Sequence, residues 1–497
     1  MSYGELSNTQ ETMVLPMLQI KNIRGKPYIT VSAKGMINGL SNIPNDGADF
    51  GPDTTKGATA PGQYGSPYTE TTGIQDALTY LESAGGALYL KDPAVYLISK
   101  GLTYTSSYSL HIQGCTSGKY QHDNSTSDEI DTGTIIRVTS SYDGSGVMLD
   151  VNSSSGSNLG ILKIENVGFV GAPPGSTTTV MNTNVPIILT DFPMVNVSFC
   201  ALQYGTIGFN NSNNPGGPAF ITNSHIEYMN QFGLYLNAST YVNDVEFYTV
   251  TNPFINIGGV VKVNNIYIDN WSGWCFQGAA IYLISNVQVS NSTTSASGIF
   301  ALVDNTNTMI VSNIVITIDG SFSIVGLDST TSAQYLSVSN ITVSLAQDLT
   351  KFVDVINEPP SANILFTNVS LINPNSYTFN LPTSSSSVVF KFMNSPQLVT
   401  SPSISVNPPV SGTTYQNTNP YDIEIDLPVY ATTAGTAGYV TIAKGATSTP
   451  TAIGNQFVSG STSSTSTEII KLRVPAGWYY SFTGSGVTFA TATPFAE

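Results

Sequence analysis

A short phrase recurs between Asn166 and Leu371: an Asn or Asp followed by an apolar, any, apolar step. The nine copies begin at Asn166, Asn196, Asn223, Asp244, Asn265, Asn286, Asn313, Asn340 and Asn368. Only Asn223 is followed by a polar residue, Ser224. Successive copies are 30, 27, 21, 21, 21, 27, 27 and 28 residues apart, the spacing of a stacked repeat with insertions of about six residues. Pairs such as Leu162/Ile164, Val261/Val263 and Leu336/Val338 place further apolar residues four and two positions before the Asn. One alternation therefore arrives at the amide and another leaves it, which reads as strand, sharp corner, strand. Asn and Asp suit such a corner because they tolerate the left-handed backbone region.

These features predict an all-β chain built as a right-handed parallel β-helix, with coils about 4.8 Å apart and an Asn ladder along one corner. A β-sandwich with chance Asn spacing is the alternative. A solenoid also accommodates 497 residues without a single very large core.

Composition narrows the partners. Only 10% of residues are charged and the formal charge is −16, so no basic patch is present to neutralise nucleic-acid phosphates. Low charge is compatible with an acidic exterior habitat. Cys115, Cys200 and Cys275 cannot all pair with one another, which excludes a disulfide framework as the stabilising device. No apolar run is long enough for a membrane span, and the first 30 residues lack the basic start and apolar core of a secretory leader. Nine Asn-x-Ser/Thr sequons occur, a number expected by chance in so Asn-, Ser- and Thr-rich a chain.

Taken in order, residues 1–43 read as an attachment arm, with a disordered terminus as the alternative. Residues 44–395 read as the β-helix. Within it, Thr72-Gly-Ile-Gln75 forms a capping box before Ile74, Ala77, Leu78 and Leu81, one apolar helical face, and Gly85-Gly86 ends that helix. Residues 396–420 are Pro-, Ser- and Thr-rich and read as a linker. Residues 421–497 carry short strands with turns, the pattern of an antiparallel β-sandwich.

The order Asn45-Asp46-Gly47, amphipathic helix, Gly-Gly-apolar-Tyr strand resembles the N-terminal part of the pectate lyase (pectin lyase-like) superfamily, in which the helix caps the open end of a β-helix. The Pro475-Ala-Gly-Trp-Tyr-Tyr stretch resembles terminal modules of viral tailspikes and tail fibres. Together they make the chain similar to tailspike-type proteins. That resemblance implies a homotrimeric virion spike exposed outside the cell, joined to virion structural proteins through the N-terminal segment and recognising host cell-surface polysaccharide. The lyase calcium-binding Asp cluster and the polygalacturonase motifs are absent, so neither activity is carried over.

Chemistry must sit on outer faces. Two and four residues after each corner the side chains point outward. There the three insertion-free coils bring together His225, Glu227, Glu246, Tyr248, Tyr267 and Asp269, with Trp271 and Trp274 following. Rings that stack on sugars beside acids that bind hydroxyls or protonate a glycosidic oxygen are what a carbohydrate groove needs. Glu227, Glu246 and Asp269 are the candidate catalytic acids; His225, Tyr248, Tyr267, Trp271 and Trp274 are the candidate sugar contacts. Coil spacing separates the backbones of Glu227 and Asp269 by about 9.6 Å and of Glu227 and Glu246 by about 8 Å, in or near the range of an inverting glycosidase. The alternative is a solvated stripe of ordinary cross-coil pairs, or a buried contact between subunits. Asp422, Glu424 and Asp426 alternate on one strand and could hold a cation, or form a wet outer face. No metal and no cofactor is otherwise expected. A secreted polysaccharide lyase or glycoside hydrolase, and a non-enzymatic structural surface protein, are the competing functional readings.

Overall fold

The fold was obtained as a computed structural model. It describes residues 21–23, 26–33, 48–49, and most of 73–393 and 411–496. Two compact units divide the chain, residues 1–297 and 298–497.

The first unit is a stack of parallel strands. On one side of the corner, Lys26–Val31 pairs with Gly86–Leu90, which pairs in turn with Leu110–Gly114, Ile161–Glu165 and Met194–Ser198. The long strands Ala219–Leu236, Thr240–Asn256, Val260–Trp271 and Ile281–Ser292 continue the parallel stack. Register aligns Ile112, Ile164, Val197, Ile221, Val242 and Val263 in one buried apolar column, so every coil covers the core of its neighbour. The parallel β-helix is thus read directly from pairing. Lys26–Val31 lies within the expected attachment arm yet is a sheet strand, because Ile29 and Val31 alternate into the core. Most of that arm lies outside the described residues.

The corners confirm the amide rule and correct one copy of it. Asn166, Asn223, Asp244, Asn265, Asn286, Asn313, Asn340 and Asn368 all have φ between 49° and 58°, but Asn196 does not. Pairing of Lys163 with Asn196 and of Glu165 with Ser198 makes Phe199, at φ 54°, the residue that turns in that coil. A left-handed non-Gly residue costs about 1–2 kcal/mol, which Asn and Asp offset with local hydrogen bonds and Phe cannot. A second left-handed corner, at Tyr204, Tyr228, Thr249 and Asn270, follows five residues later in four coils. In the first unit Asn265 donates to Asp244, whereas Asn286 donates to Asn264 at 2.8 Å.

In the second unit Asn307–Ile318, Gln334–Leu345, Ala362–Ile372 and Val388–Met393 stack in the same way. Asn340 donates to Asn313 at 3.2 Å and Asn368 to Asn340 at 2.9 Å. This unit also holds two antiparallel sheets, one of Thr414–Gln416, Tyr479–Ser485, Gly438–Gly445 and Thr451–Val458, the other centred on Ile423–Ala431. They share a core that includes Leu427, Val440, Ile470 and Phe482. Thr414–Gln416 falls inside the expected linker but pairs with Tyr479–Tyr480-Ser481.

The helix Gly73–Glu82 buries Ile74, Ala77, Leu78 and Leu81 as its spacing requires. Gln75 reaches from the helix to the strand Leu102–Thr105. Its side chain pairs with the backbone of Thr103, accepting from N at 2.8 Å and donating to O at 3.0 Å. Thr72 lies outside the described residues.

Candidate functional site

Register sets which outward side chains meet. Two positions past the first corner, successive coils align Gly168, Ala201, His225, Glu246, Tyr267 and Gln288. Four positions past it they align Arg137, Val170, Gln203, Glu227, Tyr248, Asp269 and Ser290. The central coils therefore stand as the insertion-free spacing predicts.

The early part of this face is covered. Lys119–His122 pairs antiparallel with Glu129–Thr132, and the backbone leading into that pair lies on the coils. Ser117 Oγ donates to Phe199 O at 3.1 Å, and a Cβ on Gly168 would meet Gly118 O at 2.5 Å. Small residues, Gly168 and Ala201, fit beneath the insertion. The same stripe then changes to His225, where the face opens, and Lys119 reaches across to Glu227 at 3.8 Å.

At that lip four groups converge. Glu227 Oε1 accepts from the amide of Gln203, and Glu227 Oε2 pairs with His225 Nε2. The other imidazole nitrogen, Nδ1, pairs with Glu246 Oε2 at 2.9 Å. Side-chain exposure separates the two acids: 8% for Glu227 and 49% for Glu246. Burial works to lower the pKa of His225, but its hydrogen bonds to Glu227 and Glu246 outweigh burial and raise it. The hydrogen bond from His225 holds the Glu246 carboxyl below its ordinary value.

Aromatic rings adjoin these acids. Tyr204 and Tyr228 occupy successive second corners and stack at 4.5 Å with planes 7° apart, and Tyr228 meets Tyr248 edge-on at 5.7 Å. Bulky residues with left-handed backbone are strained, and such strain concentrates at functional sites. Burial, followed by the charge of Glu227, pushes the Tyr228 phenol up to about 12, so it remains a protonated hydrogen-bond donor.

The structure brings His225, Glu227, Glu246 and Tyr248 together, with Tyr267 beside Glu246 and Asp269 beside Tyr248 on the next coil. Asp269 accepts from Ser290 Oγ at 3.3 Å, and Ser290 also meets the Tyr267 hydroxyl at 2.8 Å. Tyr248 stands between Asp269 and Glu227 in the register. Trp271 is a correction: it is fully buried inside the coil and cannot stack on a sugar. Trp274 is half-buried and stands in the strand Trp274–Gly278, past the Asn270 corner, with its backbone amide donating to Asn252 Oδ1 at 2.9 Å. Asn270, at φ 55°, is a corner, and the chain leaves the His225 face there.

Lys119 and Gln203 were not foreseen. Gln203 sits four residues past Phe199, so taking Asn196 as the corner hid it. Lys119 belongs to an insertion that carries no repeat, although the shift from Gly168 and Ala201 to His225 marks where its cover ends. Among the described residues no group of three or more His, Cys, Asp or Glu side chains is arranged to hold a metal. In the second unit, backbone register sets Glu424 opposite Arg473 and Asp426 opposite Lys471 in adjacent strands.

No protein-family model matches the chain, and no curated protein does. Solved structures similar to it include the enzymatically active domain of tailspike protein 4 from bacteriophage CBA120, at 10% identity and TM-score 0.31, covering 94% of this chain and 72% of that one. A full-length tailspike protein 2 from an Escherichia coli bacteriophage is 12% identical with TM-score 0.33, over 86% and 66% of the two chains. A glycan biofilm modifying enzyme from Pantoea stewartii, with a tailspike-like parallel β-helix, is 8% identical with TM-score 0.23, over 86% and 61%. These likenesses bear on the fold alone.

Proposed function

We propose that this chain is a polysaccharide-binding β-helix of tailspike type, and that the lip formed by Lys119, Gln203, His225, Glu227 and Glu246 is its glycan contact. The observation that carries the reading is the bridged Glu227–His225–Glu246 group beside the half-buried Tyr228 and Tyr248 rings, in a chain with only 10% charged residues. Exposed carboxylate and cation groups exchange hydrogen bonds with sugar hydroxyls, and adjacent rings offer apolar surface to the sugar faces. A rigid solenoid suits an extended polymer, because its long faces repeat at every coil.

Several finer parts belong to the same proposal: a homotrimeric spike on a virion surface, recognition of a host cell by its glycan, attachment through the N-terminal segment, a capping role for the helix Gly73–Glu82, and a distal sandwich formed by the antiparallel sheets. Cleavage is the further step. Glu227 and Glu246 lie one coil and two residues apart, about 8 Å between backbones, with the His225 ring between their carboxyls, so Glu246 is the acid open to act on a bound polymer.

The test is a screen of purified bacterial surface polysaccharides for binding and depolymerisation, with the solution mass measured in parallel. Wild-type protein is expected to bind at least one polymer, and Glu246→Gln to lose that binding. Equal binding by wild type and Glu246→Gln would remove this site from the reading.

A further inference from the structure

We infer that Glu227 is a positioning residue, and that Glu246 is the carboxylate through which the site meets its ligand. The inference rests on the glycan-contact reading and divides the labour within it. Both oxygens of Glu227 are occupied, Oε1 by the Gln203 amide and Oε2 by His225, with Lys119 beyond at 3.8 Å. Gln203 is itself fully buried, so that side of Glu227 is closed to a sugar. Glu246 is half exposed, and among the described residues its one hydrogen bond runs from Oε2 to His225.

The imidazole joins the two acids. A neutral imidazole donates through one nitrogen only, whereas His225 has a carboxylate oxygen against each nitrogen. The ring therefore carries two N–H donors and a positive charge, and its plane is fixed by the line between the acids. Gln203 orients Glu227, Glu227 holds His225 as imidazolium, and the imidazolium keeps Glu246 ionised as a strong acceptor for a sugar hydroxyl. Glu227 acts on the ligand only through this chain of bonds. The other charged group facing the ring is Lys119, whose ammonium opposes protonation of His225 but is outweighed by the two acids.

The experiment follows His225 by nitrogen-15 NMR titration and measures binding to purified bacterial surface polysaccharides across pH, using wild type, Glu227→Gln, Glu246→Gln and Gln203→Ala. With Glu227→Gln the His225 midpoint is expected to fall by about one unit or more. Its polysaccharide binding is expected to weaken only above the new midpoint and to return below it. Glu246→Gln is expected to lose about tenfold or more at every pH. Gln203→Ala, which keeps both charges, is expected to lower the midpoint less and to share the pH dependence of Glu227→Gln.

An unmoved midpoint in Glu227→Gln, or a loss of binding at every pH matching that of Glu246→Gln, would overturn the inference. If wild type binds no polymer, the glycan reading falls, and the titration of Glu227→Gln alone decides whether Glu227 sets the charge of His225.

Discussion

The first unit holds two imidazole–carboxylate groups on different coils, and their imidazole pKa values move in opposite directions. His225 lies past the corner between two acids, Glu227 and Glu246. His111 lies before the corner and meets one acid, Glu165, at 2.8 Å, while Lys163 holds the other oxygen of that acid at 2.5 Å. Burial lowers the pKa of both rings. For His225 two acids overcome it and the pKa is raised. For His111, Glu165 does not overcome it, because the Lys163 charge works in the same direction as burial, and the pKa is lowered. Despite its partial burial, Glu165 is kept below its ordinary value by Lys163 and His111. Burial is the largest single influence at both rings, and the number of acid partners decides whether its direction is reversed.

The largest expected break of this comparison is in stability. His225→Asn leaves the buried Glu227 with only the exposed Lys119, at 3.8 Å, as its cation, a change expected to cost about 3 kcal/mol. His111→Asn removes a partner from an acid that Lys163 still neutralises, with an expected cost below about 1 kcal/mol. Thermal unfolding of the two variants checks both values; equal losses would mean that the second acid adds nothing. Ligand binding should divide in the same way: Glu246→Gln is expected to lose about tenfold in polysaccharide affinity, about 1.4 kcal/mol, and Glu165→Gln to lose none.

The coil between the two pairs offers a gain. Phe199 turns with φ 54° and is half exposed, so Phe199→Asn is expected to stabilise the fold by about 1 kcal/mol without moving either histidine. A loss in thermal unfolding would show that the ring contributes more than its backbone costs.

Smaller effects appear with pH. A raised pKa means that His225 adds stability fully below its unfolded value near 6.5, and that this is lost as pH rises through the folded value. A lowered pKa gives His111 the opposite sign. Its neutral form is favoured in the fold above about 6.5, and stability falls as pH drops below that value toward the folded one. Glu246, with a depressed pKa, adds stability above its ordinary value of 4.5 that is lost as pH falls through the folded one. Melting temperature across pH should therefore lose its alkaline-side decline in His225→Asn and part of its acid-side decline in His111→Asn.

Much of the His225 region was legible in the chain. The amide-apolar phrase marked eight corners correctly, because Asn and Asp relieve left-handed backbone, and the 21-residue spacing then fixed His225, Glu246 and Tyr267 side by side. The ninth failed because Phe199 turns without the residue type that signals a turn, and Gln203 was lost with it. Trp271 was misplaced for a related reason: the second corner at Asn270 carries no apolar repeat, so alternation read past it no longer reports the outer face. Lys119 and the His111 group depend on which distant coil passes beside which, and only three-dimensional register provides that.

The most direct measurement is a nitrogen-15 NMR titration of His225 and His111 in the intact protein. The expected result is a His225 midpoint above 6.5 and a His111 midpoint below it. Two midpoints on the same side of that value, or the reverse order, would contradict the bridged-acid site.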